Sequence, residues 1–288
     1  MPENSYITSV KPLSGYNSVP FEVLPNGTVQ FTDGTTVFAP NQLECEAYGY
    51  SYDILSGTCS AFRPNINLVA SFANENNSTK GAGNSTQRGT NNTIIMGENN
   101  TVRGNSRNSI ITGSGNEIVN GVNNISVSGV KGEVTTSGSV VLGANNETDT
   151  LGKRQSIRLQ YGRQTTNNST VSSYVNNVTG AFFEVPLNSI IYFHADTLVV
   201  RTGGFNEAGN VGDYGSYVER GVIISKNGTL SIQRERDTIK TSGTVTGWRI
   251  LASTSGSNFL LTVRGAANMT LEWTCNVNIT QIKTGVTL

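Results

Sequence analysis

Residues 91–102, NNTIIMGENNTV, hold three consecutive large apolar residues between pairs of asparagine, and NSIITGSGNEI repeats the layout at 108–118. The pattern recurs at a fixed step. Asn76, Asn92, Asn108 and Asn124 stand 16 residues apart, as do Gly81, Gly97, Gly113 and Gly129. Asn84, Asn100 and Asn116 keep that step, with Gly132 in the fourth copy. Ile95, Ile111 and Val127 form one apolar row, and Val102, Ile118 and Val134 form another. GSVVLGANNET, with Gly143, is a slightly shortened last echo. Several rows matching at one period imply a repeat architecture. Each unit reads as a short strand, a Gly turn, a second short strand and an Asn/Gly turn. Residues 66–150 are therefore expected to form a short β-helix or β-roll with the six apolar row residues at its core.

A unit of this size buries three or four large apolar side chains, each contributing about 1.5–3 kcal/mol. Ordering its backbone costs about 1–2 kcal/mol per residue. One coil cannot stand alone, and a stack from one chain has a narrow core. Three chains wound about a common axis would bring three sets of Ile/Val to each level and cover strand edges. A homotrimer is thus the expectation, with a single-chain β-solenoid as the alternative.

The flanks carry a different pattern. In residues 1–65, FEVLPNGTVQFTDGTTVFAP reads as two short strands around Asn26-Gly27 and a turn at Asp33-Gly34. Tyr48, Tyr50 and Tyr52 then alternate, which in a strand places three rings on one face. Such a face suits docking to another protein, or it covers the small module's own core. Residues 151–288 contain alternating or apolar runs separated by turn signals, among them GAFFEVP, SIIYFHADTLVVRT, YVERGVIIS, GTLSIQRE, GWRILAST, NFLLTVRG and NMTLEWTCNVNITQI. This spacing predicts a β-sandwich or jelly roll. Trp248 and Trp273, each in such a run, are expected in its core. The whole chain is expected to be all-β.

Composition narrows the function classes. Charged residues make up 14% of the chain, and 20 Lys+Arg balance 20 Asp+Glu. A nucleic-acid partner, which needs a basic face to displace counterions, is not expected. MPENSYITSV shows neither a basic region nor an apolar core of a secretion signal, and no run reaches the length of a membrane span. Synthesis in a cytoplasm and no membrane partner are the expectations, and chance accounts for the many N-x-S/T triplets. Of the three cysteines, Cys45 and Cys59 are close enough in sequence to be joined or are two half-buried thiols, and Cys275 is a strand residue.

Signs of chemistry are sparse. His194 is the sole histidine; without a nucleophile elbow beside it, it reads as a strand residue with a hydrogen bond. Zinc or transition-metal ligation is not expected, and no P-loop or dinucleotide fingerprint occurs, so no cofactor is expected. Glycoside cleavage needs only two carboxylates. Asp196, Glu219, Glu235 and Asp237 are candidates, but nothing in their spacing singles out a pair. No catalytic residues are assigned, and a non-enzyme is the expectation.

NNTIIMGENNTV…NSIITGSGNEI followed by GSVVLGANN resembles the trimeric β-helix or β-roll shafts of bacteriophage fibres and, more loosely, the head repeats of trimeric autotransporter adhesins. SIRLQYGRQ, SIIYFHADTLVVRT, YVERGVIIS and LTVRGAANMTLEWTCNVNITQI resemble the C-terminal β-sandwich of phage fibres. CEAYGYSYD and GTC are similar to N-terminal modules of virion proteins in crAss-like phages of gut Bacteroidales. The resemblance implies a virion fibre, by fold-level analogy. Its N-terminus would attach to capsid or tail proteins, with Tyr48, Tyr50 and Tyr52 as docking candidates. Its head would meet a host-surface glycan or mucus through the loop at 203–217, with Phe205, Asn206, Asp213, Tyr214 and Tyr217 as contact candidates. A capsid decoration without a receptor and a polysaccharide-degrading tailspike are the alternatives.

Overall fold

The structure, a computed structural model, describes residues 15–54, 56–61, 76–205, 209–243 and 245–284. The chain divides into two compact units, Met1–Ser71 and Phe72–Leu288. Among the described residues no helix is long and apolar enough to cross a membrane.

In the first unit, β1 (Val19–Val23), β2 (Val29–Thr32) and β3 (Val37–Phe38) form an antiparallel sheet. The Asn26-Gly27 and Asp33-Gly34 turns join them as the sequence implies, and Asp33 Oδ1 accepts from the amides of Thr35 and Thr36 at 2.8 Å each. The tyrosine row departs from expectation. Residues Gln42–Ala47 form a helix, α1, closed at its start by a capping box between Asn41 and Glu44. Tyr48 is its C-cap, and only Tyr52 lies in a strand, β4 (Ser51–Asp53), which pairs with β5 (Thr58–Ser60). The capping pair outweighs the weak two-residue alternation of rings. All three tyrosines nevertheless pack against the core of Val29, Phe31, Cys45 and Cys59. The Tyr48 ring lies 5.4 Å from that of Phe31, and its hydroxyl donates to Ser18 O at 2.7 Å. Cys45 and Cys59 are joined as a disulfide with Cα atoms 5.7 Å apart.

The second unit opens as a β-solenoid. Its strands are β6 (Ser78–Lys80), β7 (Ser85–Thr86), β8 (Asn91–Glu98), β9 (Thr101–Val102), β10 (Arg107–Ser114), β11 (Glu117–Ile118), β12 (Asn123–Val130), β13 (Glu133–Val134) and β14 (Val140–Ala144). The even-numbered strands stack in parallel with Ile95 on Ile111 and Ile111 on Val127, and the odd-numbered ones make a second parallel sheet with Val102, Ile118 and Val134 in register. The step is 16 residues until β12 meets β14, where Val127 faces Val141. Ile95, Val102, Ile111, Ile118, Val127 and Val134 are all buried within this one chain. The core thus closes without a second or third chain at each level, which is the single-chain alternative. Stacking in register places Ile111, Ile118 and Val127 between apolar residues of the coils on either side, while Ile95 and Val102 meet Thr79 and Thr86 on one side. An energy count made per isolated coil leaves that burial out.

A row of glycines and a row of asparagines run through successive coils. Gly97 adopts φ +135°, and a Cβ there would stand 1.9 Å from Gly113 O, so only glycine fits. The row of Asn84, Asn100 and Asn116 runs through the interior. Each Oδ1 accepts the backbone amide 16 residues on, and each Nδ2 donates to a glycine carbonyl of the neighbouring coil. Gly132 ends this ladder: its N–H donates to Asn116 Oδ1, and it has no side chain to carry the row further.

β14 then pairs with β15 (Arg154–Thr165), so the solenoid sheet runs without a break into the head. The head adds β16 (Thr170–Val175), β17 (Phe183–Glu184), β18 (Ser189–Gly203), β19 (Tyr214–Lys226), β20 (Thr229–Thr241), β21 (Arg249–Ser255), β22 (Asn258–Arg264) and β23 (Thr270–Lys283). The order β20-β19-β18-β23-β15 makes the large sheet, and β22 joins β21 on one side to β16 and β17 on the other. The inner faces meet around Phe193 and Phe259, whose ring centres are 5.0 Å apart. Trp248, Trp273 and Cys275 are buried there; the Trp273 Nε1 donates to Thr165 Oγ1 at 2.9 Å, and burial pushes the Cys275 thiol up to about 12.

Candidate functional site

Strict alternation on β18 and β23 turns every second residue of the large sheet outward. Register then decides which outward residues meet. His194 stands between Asn278 of β23 and Arg220 of β19, and Arg220 faces Glu235 of β20. The adjacent row places Asn276 beside Asp196, Asp196 beside Val218, and Val218 beside Asp237.

These rows form a charged patch on one exposed face. His194 Nε2 lies 3.2 Å from Asp196 Oδ1. Arg220 Nη2 lies 3.1 Å from Glu235 Oε2 and 3.3 Å from Asp237 Oδ2. The carboxylates of Asp196, Glu235 and Asp237 remain about half exposed or more. A hollow of about 430 Å³ adjoins Asp196, which lines it with Leu198, Tyr217, Val218, Ile239 and Asn276 among others. Its shape follows from a bulge: Tyr217 faces Thr238 but Ser216 faces Lys240, so Ile239 is left over and sits at the rim.

Of the four carboxylates singled out in the sequence, three therefore share this face. Asp196 and Asp237 lie on strands separated by β19, which sets their backbones about 10 Å apart at two inter-strand spacings. Asp196 Oδ1 is held beside His194 Nε2, and Asp237 Oδ2 beside Arg220 Nη2. Glu219 points the other way, into the sandwich. It is fully buried, its Oε2 accepts from Ala252 N at 3.1 Å, and Arg234 Nη1 lies 3.6 Å away. Burial raises its pKa against the pull of that hydrogen bond and of Arg234 and Arg236. Among the described residues no three His, Cys, Asp or Glu side chains converge as a metal site requires.

The residues expected as receptor contacts are not brought together. Phe205 is 99% exposed, whereas Tyr217 is buried in the head core. Asp213 turns inward, its Oδ2 accepting from Asn210 N at 2.7 Å, and Tyr214 begins β19 half-buried. Asn206 lies outside the described residues. Sequence reasoning passed over Asn276, Asn278 and Arg220. The alternation of β23 marks which of its residues share a face, but not which strands lie beside them.

No protein-family model matches the chain, and neither does a curated protein. Among solved structures, it is similar to the tailspike protein of Acinetobacter baumannii phage AM24, at 8% identity and a TM-score of 0.26, over 72% of this chain and 49% of that one. Tailspike protein gp49 of Acinetobacter baumannii bacteriophage Fri1, a capsular polysaccharide depolymerase, matches at 10% identity and a TM-score of 0.25, over 69% of this chain and 40% of its own. The tailspike protein of Acinetobacter phage vB_ApiP_P1 matches at 10% identity and a TM-score of 0.22, over 72% and 48%. The chain thus spans half or less of the length of the structures it matches. One of the three is a depolymerase, and the expectation of a non-enzyme is corrected on that finding. What the chain is similar to is a set of phage tailspikes.

Proposed function

We propose that this chain is part of a tailspike-like virion protein whose head engages, and cleaves, a host-surface polysaccharide on the outward face of its large sheet. The observation that supports this reading is that the His194–Asp196 pair and the Arg220–Glu235–Asp237 cluster stand on adjacent rows of one exposed face, with Asp196 lining an open hollow. In this reading Asn276 and Asn278 donate to sugar hydroxyls. One of Asp196 and Asp237 protonates the glycosidic oxygen while the other takes a proton from the attacking water.

Arg220 engages both Glu235 and Asp237, an arrangement that equally suits a fixed hydrogen-bonding surface for sugars. That observation supports a second reading, adhesion without cleavage. The test is reducing-end release from host capsular polysaccharide by the wild type, D196N and D237N, with binding measured in parallel. Cleavage predicts a loss of about 10²-fold or more in either variant with binding retained. Turnover unchanged in both variants refutes the catalytic assignment. Binding without turnover, lost in N276A, leaves adhesion. Binding unaffected by any substitution on this face refutes both readings.

The chain would act as a homotrimer docked on the virion through its N-terminal unit, with Tyr48, Tyr50 and Tyr52 as docking candidates, and three heads would raise avidity. Ile94, Met96 and Ile110 on one side of Ser126 and Ser128, and Val140 and Leu142 on the other, are exposed apolar residues on the solenoid's long sheet, and further copies of this chain would cover them. A monomer by sedimentation would exclude that assembly.

A further inference from the structure

The opposite side of the head, the outer face of its smaller sheet, carries a charge arrangement that the saccharide reading does not use. Arg249 of β21 and Arg264 of β22 are direct cross-strand partners, and Thr170 of β16 faces Arg264 in the same row. Directly opposed side chains start about 4.5–5.5 Å apart at Cβ, and like charges in that position repel. Among the described residues neither arginine has an ion-pair partner. The sequence supplies none nearby along the chain: no Asp or Glu occurs between Asp149 and Glu184, or between Asp237 and Glu272. Strands β16, β21 and β22 all fall within those two stretches. In a chain with equal numbers of acidic and basic residues, this is a local excess of positive charge.

The two guanidiniums border a hollow of about 90 Å³ lined by Thr170, Arg249, Leu251, Thr262 and Arg264. Arg264 Nε donates to Asn168 O at 2.9 Å, which anchors its guanidinium plane and leaves its terminal N–H groups to another acceptor. Thr262 Oγ1 donates to Leu251 O at 3.2 Å, so Leu251 and the Thr262 methyl supply an apolar floor. Two planar forks over an apolar floor suit one anionic group attached to a ring with C–H faces.

From this geometry we infer that Arg249 and Arg264 form an anion subsite for the charged group, carboxylate or phosphate, of an acidic saccharide. The anion relieves the arginine repulsion, and the ring rests on Leu251. That the anion belongs to a saccharide rests on the function proposed above; the anion subsite itself does not. It lies on the other sheet from Asp196 and Asp237, so the two can fail separately.

The test is a titration of the whole chain with glucuronate, inorganic phosphate and glucose, followed through the arginine Nε resonances and by calorimetry. Glucuronate, phosphate or both should shift Arg249 and Arg264 saturably, with a Kd of about 1 mM or tighter, and leave Arg220 unmoved. Glucose should not. R249Q/R264Q should weaken anion binding about tenfold or more, while D196N/D237N should leave it unchanged. A stronger response to glucuronate identifies a uronate-type partner, and a stronger response to phosphate identifies a phosphorylated one. No shift at these arginines with either anion in the wild type overturns the inference whatever the variants do. Phosphate binding that survives R249Q/R264Q unchanged, or a shift of these two arginines by glucose as large as that by the anions, overturns it as well. Capsule cleavage or adhesion lost only in the Asp196 and Asp237 variants would leave the proposed function standing on its own.

Discussion

Replacing Asn100 by alanine probes the interior asparagine ladder where it is most enclosed. The side chain is fully buried. Its Nδ2 donates to Gly113 O at 2.9 Å and to Asn84 Oδ1 at 3.0 Å, and its Oδ1 accepts from Asn116 N and Asn116 Nδ2 at 3.0 Å each. Alanine removes all four bonds and leaves the Gly113 carbonyl and the Asn116 amide buried without those partners. At about 1–3 kcal/mol for each orphaned group, the loss is about 2–6 kcal/mol. The outer ladder supplies the control. Asn108 is exposed, bonds Asn92 and Asn124 at 3.2 and 2.9 Å, and sits at φ +54°, a conformation that glycine keeps. Asn108→Gly should therefore cost about 1 kcal/mol or less. Urea unfolding of both variants, with hydrogen exchange at the Asn116 amide, measures the difference. If Asn100→Ala costs no more than Asn108→Gly, or the Asn116 amide stays as protected as in the wild type, the ladder is not what holds adjacent coils in register.

Gly113→Ala should prevent the solenoid from closing, because its Cβ would stand 2.0 Å from Gly129 O at φ +107°. Gly121→Ala, with open space around the new methyl, should cost only about 1 kcal/mol; equal thermal shifts would contradict the stacking. Reducing the Cys45–Cys59 bridge, which closes a loop over a separation of 14 residues, should destabilise the first unit by about 3 kcal/mol, read as a lower urea midpoint with reductant present. Glu219→Gln tests the buried carboxyl. With its pKa raised above the ordinary 4.5, the folded state holds the proton more tightly than the unfolded state. Native Glu219 therefore costs nothing at pH below 4.5 and increasingly destabilises as pH rises toward the raised value, so the gain in the Gln variant should grow as pH rises above 4.5 and level off beyond the raised value. A gain independent of pH would refute that cause.

Much of this architecture is legible in the chain because stacking in register demands the same residue at every level. The rows of Asn100, Gly113 and Ile111 announce their period for that reason, and the alternation of SIIYFHADTLVVRT announces a half-buried strand. β16 escaped notice because TVSSYV places Thr and Ser where apolar residues would mark a strand. The helix at Gln42–Ala47 was signalled only by Asn41 and Glu44, three residues apart, beneath a more conspicuous row of tyrosines.

By itself the sequence determined the all-β class, the coil length and the positions that must be apolar or glycine, since these follow from local periodicity and backbone sterics. Whether the neighbour of Ile95 is Ile111 of the same chain or a residue of another chain is not written in that period. Tertiary structure decided it, by closing each coil on the next. It likewise decided that Asp196, Arg220 and Asp237 share a face while Glu219 does not. Their meeting depends on the register of three strands about 4.8 Å apart, and a shift of one residue would turn any of them to the opposite side.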